Sequence, residues 1–496
     1  MSDVRPFALL VLLAAVAGLL AVWSNRAAER IRVPAPALFL IAAAVASDLV
    51  PDLASVPVVT VQRAVTIMLI LLLFDGGMHI GVHRLRSAVG AVVWIGVAGT
   101  AVTAAGLALA AHAVFGFDWR AAVLLGVALA PTDPAVVFSV LGRREVGGRS
   151  GTVLEGESGA NDPVGIAAMA AVLVAGTGGW HAIGEGLLEF GTEMAVGAGV
   201  GLAGGYGLAL VMRRLPLPNG ALYPLQTLLG AGVIYGLATI AHGSGFLAVF
   251  LAGILVGDLR APYKAEIERF HTSLASLAEI TAFALLGLTV SLSDLVHGDA
   301  WLVGLGLAAV LAFAVRPVLV GVLLLVVKLT AGERLFIMWS GLKGAVPILL
   351  GTYILTAQVP DADRLYQVVI VVVAFSVIVQ GGLVPLVAHR AGVPMHTTEP
   401  EPWALGMRFR DEPTGLRRHT VAADSPADGS TLRDLALGED TWISMINRGG
   451  SLVPVRGSTE LRADDEVLLL TDADHEADST AALFTANPDQ SGRASS

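Results

Sequence analysis

Thirteen apolar runs, each close to the roughly 20 residues that a helix needs to cross a bilayer core, leave this chain few folds to choose from. They fall near residues 6–24, 34–50, 62–80, 87–114, 120–141, 152–176, 185–212, 222–242, 244–258, 276–292, 300–328, 333–357 and 365–389. Inside hydrocarbon a backbone must satisfy its own N–H and C=O groups, so runs of this length fold as helices. The composition agrees: 55% of residues are hydrophobic and 15% charged, against about 25% charged in soluble domains. The first run, residues 6–23, lacks a small-residue cleavage site and is expected to stay as a helix, not to be removed as a signal peptide. The fold class is therefore an all-α polytopic membrane protein of about 13 transmembrane helices.

Loop charges orient the spans. Arg26, Arg30 and Arg32 follow the first, Arg84 and Arg86 the third, Arg143, Arg144 and Arg149 the fifth, and Arg213 and Arg214 the seventh. Arg260, Lys264 and Arg269 follow the ninth, Lys328 and Arg334 the eleventh, and Arg390 the last. The alternate loops are poor in Lys and Arg. Basic loops stay cytoplasmic, which puts the N-terminus outside and the C-terminus inside a cell (plasma) membrane.

The net charge of −10 is unevenly spread. From His396 onward there are 18 acidic and 9 basic side chains, which leaves the first 395 residues nearly neutral. No Lys/Arg-rich run suggests nucleic acid. There is no cysteine, which excludes disulfides, thiolate metal sites and cysteine nucleophiles. The domains read as 1–395 in the membrane, a linker over 396–415, a small cytoplasmic α+β unit over 416–475 and a disordered tail over 476–496. Within the α+β unit, strands are expected near 419–423, 442–447, 452–455 and 466–471, with a short helix near 431–437 capped by Ser430.

Polar residues inside the apolar runs mark the site. The sixth span carries Gly156-Glu157-Ser158-Gly159-Ala160-Asn161-Asp162-Pro163, and an acid at mid-bilayer costs about 2.5–3.5 kcal/mol even on insertion scales. Glu157, Asn161 and Asp162 share one helical face. In the fifth span, Pro131-Thr132-Asp133-Pro134 should break the helix, because proline removes donors and pushes its predecessor out of the α region. Asp133 then caps a second half-helix with Pro134 at its first position, and the freed carbonyl of Thr132 can meet a cation. The twelfth span carries Ser340-Gly341-Leu342-Lys343-Gly344-Ala345-Val346-Pro347, a second break that now contains a cation. Paired interrupted helices in inverted halves point to a transporter's site. Lys343 is expected to form a buried ion pair with Glu157, Asp162 to be the exchanging acid, and Arg316, before Pro317 in the eleventh span, to tether structure through an anion or carbonyls. Asp75, near the cytoplasmic end of the third span, either lines an inward funnel or caps its helix. His79 and His83 at the same end either sense pH or simply face water.

These motifs resemble the monovalent cation:proton antiporters of the NhaP type, within the larger cation:proton antiporter superfamily. The matching pieces are Thr132-Asp133-Pro134, Glu157 to Pro163, Arg316-Pro317 and Gly341-Leu342-Lys343-Gly344-Ala345-Val346-Pro347, in order across residues 6–390. The resemblance implies inverted repeats with two broken crossing helices, a homodimer, and a core that moves like an elevator. It places a monovalent cation at Asp162, Ser158 and the backbone of Thr132, with Glu157, Asn161 and Asp133 nearby. It also implies electroneutral exchange for an Asn161–Asp162 pair. The chain departs from the family at Lys343, where arginine is usual; lysine can lose its proton when buried and arginine cannot.

The tail, through Ile446-Asn447-Arg448-Gly449-Gly450 and Arg462-Ala463-Asp464-Asp465-Glu466, resembles the TrkA-C (RCK-C) half of regulatory domains on potassium channels and transporters. No Gly-x-Gly-x-x-Gly follows a strand there, so no nucleotide cofactor is expected. Binding of a small regulatory ligand such as a cyclic dinucleotide over 416–475 is an analogy with the family. Antiporters with such a tail favour K⁺ over Na⁺ as the expected substrate. A gated potassium channel subunit is the rival of another class, but no Thr-Val-Gly-Tyr-Gly filter is present. The absence of a His-Glu-x-x-His pair argues against an intramembrane hydrolase. The expectation is a transporter, not an enzyme.

Overall fold

The computed structural model describes residues 8, 11–12, 15–24, 34–141, 144–146, 148–175, 179–258, 263–393, 395–397, 416–435, 437, 441–449, 451–471 and 483–485. The chain divides into two compact units, Met1–Ala404 and Leu405–Ser496.

The first unit is helical. In order it holds α1 (Ala15–Ser24), α2 (Ala35–Leu49), α3 (Pro51–Ala54) and α4 (Val58–Val93), which bends at Gly81 where φ is 60°. It continues with α5 (Thr100–Ala113), α6 (Trp119–Ala128), α7 (Pro134–Leu141), α8 (Gly148–Ala175), α9 (Gly179–Arg214), α10 (Leu222–Ile240) and α11 (Gly245–Gly257). Then come α12 (Lys264–Gly287), α13 (Leu292–His297), α14 (Ala300–Val310), α15 (Gly321–Leu324), α16 (Ala331–Trp339), α17 (Ala345–Thr356), α18 (Ala362–Phe375) and α19 (Gly382–Arg390). Wider π-type turns join α4 to α5 over Trp94–Gly99, α14 to α15 over Leu311–Val320 and α18 to α19 over Ser376–Gly381. Such turns are uncommon and gather at functional positions.

Among the described residues, seven helical stretches are long and apolar enough to cross a membrane, for example Val58–Val82, Ala88–Ala113 and Ala300–Leu324. Shorter apolar helices accompany them, including Trp119–Ala128, Gly245–Gly257 and Ala345–Thr356. Most residues of α11 and α17 are buried. α11 packs on α4 and α9, and α12 on α4 and α2. Close approach through small residues replaces the hydrophobic drive that lipid cannot supply.

Helix α12 differs from expectation. The apolar run suggested a span starting near 276, yet the helix starts at Lys264. Its first three turns are polar, with Lys264 and Glu268 paired at i,i+4 over 3.5 Å. Such residues propagate a helix well; they only fail to look like lipid-buried sequence. A second addition is a short antiparallel ribbon, β1 (Arg144–Val146) with β2 (Met395–Thr397), in register Glu145 to His396. The expected linker therefore begins as strand, and its residues 398–415 lie outside the described ones, as do most of 476–496. The expected disordered tail is corrected at Leu483 and Phe484: their carbonyls accept the Ala427 and Ala422 N–H groups, and the Phe484 ring is buried in the second unit.

The second unit is a four-stranded antiparallel sheet in the order β3 (Leu416–Thr420), β6 (Glu466–Thr471), β4 (Thr441–Arg448), β5 (Ser451–Val453). Val421, Ile446, Leu461, Val467, Leu469 and Phe484 form its core. The helix expected near 431–437 is a set of turns instead. Leu432 and Arg433 give their N–H groups to the carbonyls of Thr459 and Gly457, so those donors are spent on a neighbouring loop. Asp465 is buried and takes both oxygens to Arg448, at 2.7 and 2.6 Å, and one to the Arg462 N–H at 2.9 Å. Burial works to raise its carboxyl, but Arg448 and the Arg462 N–H outweigh it and hold the group below the usual range.

Candidate functional site

The fifth span is broken as its prolines dictate. α6 ends at Ala128, α7 starts at Pro134, and no regular helix joins them. Asp133 accepts the Ala135 N–H at 2.9 Å, a helix-capping bond worth about 1 kcal/mol. Thr132 is held on three sides. Asn161 accepts its N–H at 3.3 Å and donates to its hydroxyl at 2.7 Å, and the Ser158 hydroxyl donates to its carbonyl. All three of these side chains are buried.

The twelfth span breaks between α16 and α17, over Ser340 to Gly344. The two breaks exchange hydrogen bonds. Asp133 donates its N–H to the Leu342 carbonyl at 2.8 Å. Lys343, fully buried, donates Nζ to the carbonyls of Ala130 and Pro131 at 2.9 and 3.0 Å. Those carbonyls follow directly on the C-terminal end of α6, where a helix carries partial negative charge and a cation is favoured. The Asp133 carboxylate stands at the N-terminal end of α17 as well as α7: the N–H groups of Ala135, Val136 and Ala345 all act on it. The glycines make this possible. A Cβ at Gly344 would strike the Asp133 carboxylate, and one at Gly341 the Arg316 guanidinium.

Two residues that no motif marked brace the second break. Ser376 accepts the Lys343 N–H at 3.0 Å and donates to Gln380 Oε1 at 3.2 Å. Gln380 donates to the Trp339 carbonyl at 2.6 Å, and Trp339 Nε1 returns a bond to the Gln380 carbonyl at 3.0 Å. Both sit on a π-type stretch of the last span. Their i,i+4 spacing within an otherwise apolar run was the available signal.

Two of the three acids of α8, Glu157 and Asp162, have different surroundings. Glu157 pairs with Arg316, Oε1 to Nη2, at 3.1 Å, and both side chains are buried. Arg316 also donates to the carbonyls of Met338 and Ile337 at 3.1 and 3.2 Å, closing the end of α16. The expected partner of Glu157 was Lys343; the structure gives Arg316 instead. A planar fork can serve two carbonyls and a carboxylate together, where an ammonium is a point charge, and Lys343 is engaged on the opposite break. Asp162 Oδ1 is buried and accepts no hydrogen bond, and Glu157 keeps its Oε2 in the same condition. The charges that act on Asp162 are Asp133 and Lys343.

Asp75 lies apart, on α4. Its Oδ1 accepts from the Thr272 hydroxyl of α12 at 3.3 Å, and the exposed His79 comes within 3.5 Å of its Oδ2. The side chain of His83 is not among those described.

Around Asp162 the site therefore offers one carboxylate, a hydroxyl and a main-chain carbonyl. Such hard oxygen donors suit an alkali cation. Among the described residues, no three His, Asp or Glu side chains converge as a multivalent-metal cluster.

Comparisons with known proteins agree with this reading of the fold. A family model described as sodium/hydrogen exchanger, transmembrane, matches residues 11–390, and a TrkA-C domain model matches residues 416–484. The chain is 33% identical over 410 residues, 82% of its length and 71% of the relative's, to a K⁺/H⁺ antiporter NhaP of Alkalimonas amylolytica. It is 29% identical over 428 residues, 85% of its length and 73% of the relative's, to a K⁺/H⁺ antiporter NhaP2 of Shewanella oneidensis. The solved sodium proton antiporter MjNhaP1 of Methanocaldococcus jannaschii shares the fold, with a TM-score of 0.64 and 22% identity over 78% of this chain and 99% of that one.

Proposed function

The chain belongs to the sodium/hydrogen exchanger family and is a multi-pass monovalent cation/proton antiporter, and from that premise we propose that it exchanges K⁺ for H⁺ by competition at Asp162. The observation that carries this is the buried Asp162 Oδ1, which accepts no hydrogen bond beside the unwound Thr132. A carboxyl that loses its hydration favours the protonated form, and a coordinated cation favours the ionised one. The same oxygen can satisfy either ligand, not both together. Ser158 and the Thr132 carbonyl complete the cation's shell, and Asp133 sets the charge at the crossing.

Exchange is one for one. The Glu157 carboxylate has Arg316 as its counter-ion, and the Asn161 amide is spent on Thr132. Asp162 is then the carboxylate that changes its occupant, so each passage carries one proton or one cation. K⁺ rests on the names of the two relatives, and Na⁺ is the alternative, since the solved neighbour is a sodium proton antiporter.

The further parts of the reading follow from the sequence. Thirteen spans in inverted halves put the N-terminus outside and the tail in the cytoplasm. A homodimer supports elevator-like movement of the core. The membrane domain covers 1–395, the linker 396–415 and the regulatory unit starts at 416, where a small ligand such as a cyclic dinucleotide sets the transport rate.

The test is dequenching of a pH-gradient dye in proteoliposomes, with K⁺, Na⁺ and Li⁺ titrated separately. Half-maximal dequenching at the lowest concentration with K⁺ is expected. Asp162→Asn should abolish the signal with every cation while the purified variant keeps its thermal unfolding profile. Proton-coupled cation flux surviving in that variant would overturn the proposal.

A further inference from the structure

Glu279 is the only charged residue of α12 beyond Arg269, and a carboxyl group in such an apolar stretch is costly to keep without a purpose. Its Oε1 is buried and accepts no hydrogen bond. The charge that acts on it is that of Asp133, in the first break. Seven residues separate it from Thr272, two helical turns or about 10 Å of rise, so the two share a face of α12. Thr272 is the residue that donates to Asp75. One face of α12 thus carries both the hydroxyl that bonds the Asp75 carboxylate and the buried Glu279, on which the charge of Asp133 acts.

The elements packed on α12 bring few other charges. α10 and α17 carry none along their lengths, and the one on α2 is Asp48. Asp48 accepts the Ser293 N–H past the far end of α12. α4 contributes Asp75 and His79, and also Arg63, near its start, and Arg84 and Arg86 beyond its bend.

We propose that Glu279 is a further cation-attracting carboxylate of the transport pathway, lying on the approach to Asp162 from the Asp75 end. This rests on the antiport reading given above. Glu279 holds no cation in the transported state. Its negative charge raises the local cation concentration next to Asp133 and so lowers the concentration needed to load Asp162.

The test is Glu279→Gln in proteoliposomes at pH 9, since alkaline pH favours the carboxylate over the acid. The apparent KM for K⁺ should rise roughly tenfold with the maximal rate kept within about twofold, the effect of removing one unit charge at a low effective dielectric. Glu279→Asp, which keeps the charge, should restore a KM close to that of the wild type, and it serves as the fold control. An unchanged KM in Glu279→Gln, or a loss of maximal rate at constant KM, overturns the proposal. Wild-type protein that shows no cation-dependent dequenching overturns the antiport reading itself, so the two failures are distinct.

Discussion

The two breaks at the crossing reach the same end by opposite means. The first is made by what its residues cannot do: Pro131 and Pro134 lack the donors and the conformations that a continuous helix requires. The second is made by what its residues leave room for, since Gly341 and Gly344 admit the Arg316 guanidinium and the Asp133 carboxylate. The first break supplies an anion that stands at two helix N-termini. The second supplies Lys343, which bonds the carbonyls just past a helix C-terminus in the other span. Each break is therefore compensated by its partner, and in a medium without water that compensation cannot come from solvent.

The largest effect should follow from removing the charge next to the glycine-built break. Arg316→Met leaves Glu157 buried and unpaired, at a cost of about 3–5 kcal/mol. Thermal unfolding in detergent should show it, and adding Glu157→Gln should recover most of the loss. Gly344→Ala drives a methyl into the Asp133 carboxylate and should cost about 1–3 kcal/mol, with exchange falling in the same proteoliposome assay. Lys343→Met strips the donors from Ala130 and Pro131 and belongs in the same range, about 1–3 kcal/mol. If Gly344→Ala is as stable as the wild type, the space-making account of the second break is wrong.

A control lies in the cytoplasmic unit, where neither break is touched. Asp465→Asn should cost about 1 kcal/mol at neutral pH, because Arg448 is partly exposed and its pairing is screened. The sign with pH is set by the lowered carboxyl. The unfolded chain binds the proton more readily, so this stability is present above the ordinary carboxylate range of about 3.9 and fades as pH falls through the folded value. Hydrogen exchange of β4 and β6 between pH 7 and pH 3 should lose that dependence in the variant. The smallest change is expected for Pro134→Ala. The missing N–H at the first helical position is unpaired in any case, and the loss is the unfolded-state entropy of one proline, about 0.4–1 kcal/mol.

Much of this was legible in the residues. Prolines and glycines at mid-span announce a break wherever they stand, and acids in apolar runs announce a site. Pairing was not legible. Whether Glu157 meets Lys343 or Arg316 depends on the rotation of three helices, which no local pattern records. The bracing by Ser376 and Gln380 was missed for a similar reason, as each looks like a tolerated polar residue until the neighbouring turn is in place. Glu279 carries no such signal: it stands alone in its apolar run, without the second acid, asparagine and proline that mark the sixth span. The early start of α12 was hidden because hydropathy reads lipid contact, whereas helix formation is indifferent to it.

The crowding at the crossing also bears on how such a protein can be recombined. Asp133 fits because position 344 has no side chain, and Arg316 fits because position 341 has none. Bulk in one segment is matched by its absence in another far along the chain. A chimaera that takes residues 119–141 from one parent and 331–356 from a second inherits half of each match and should assemble badly. One that takes both segments together with 311–320 transplants a self-consistent joint, and is the smallest graft expected to carry the crossing intact.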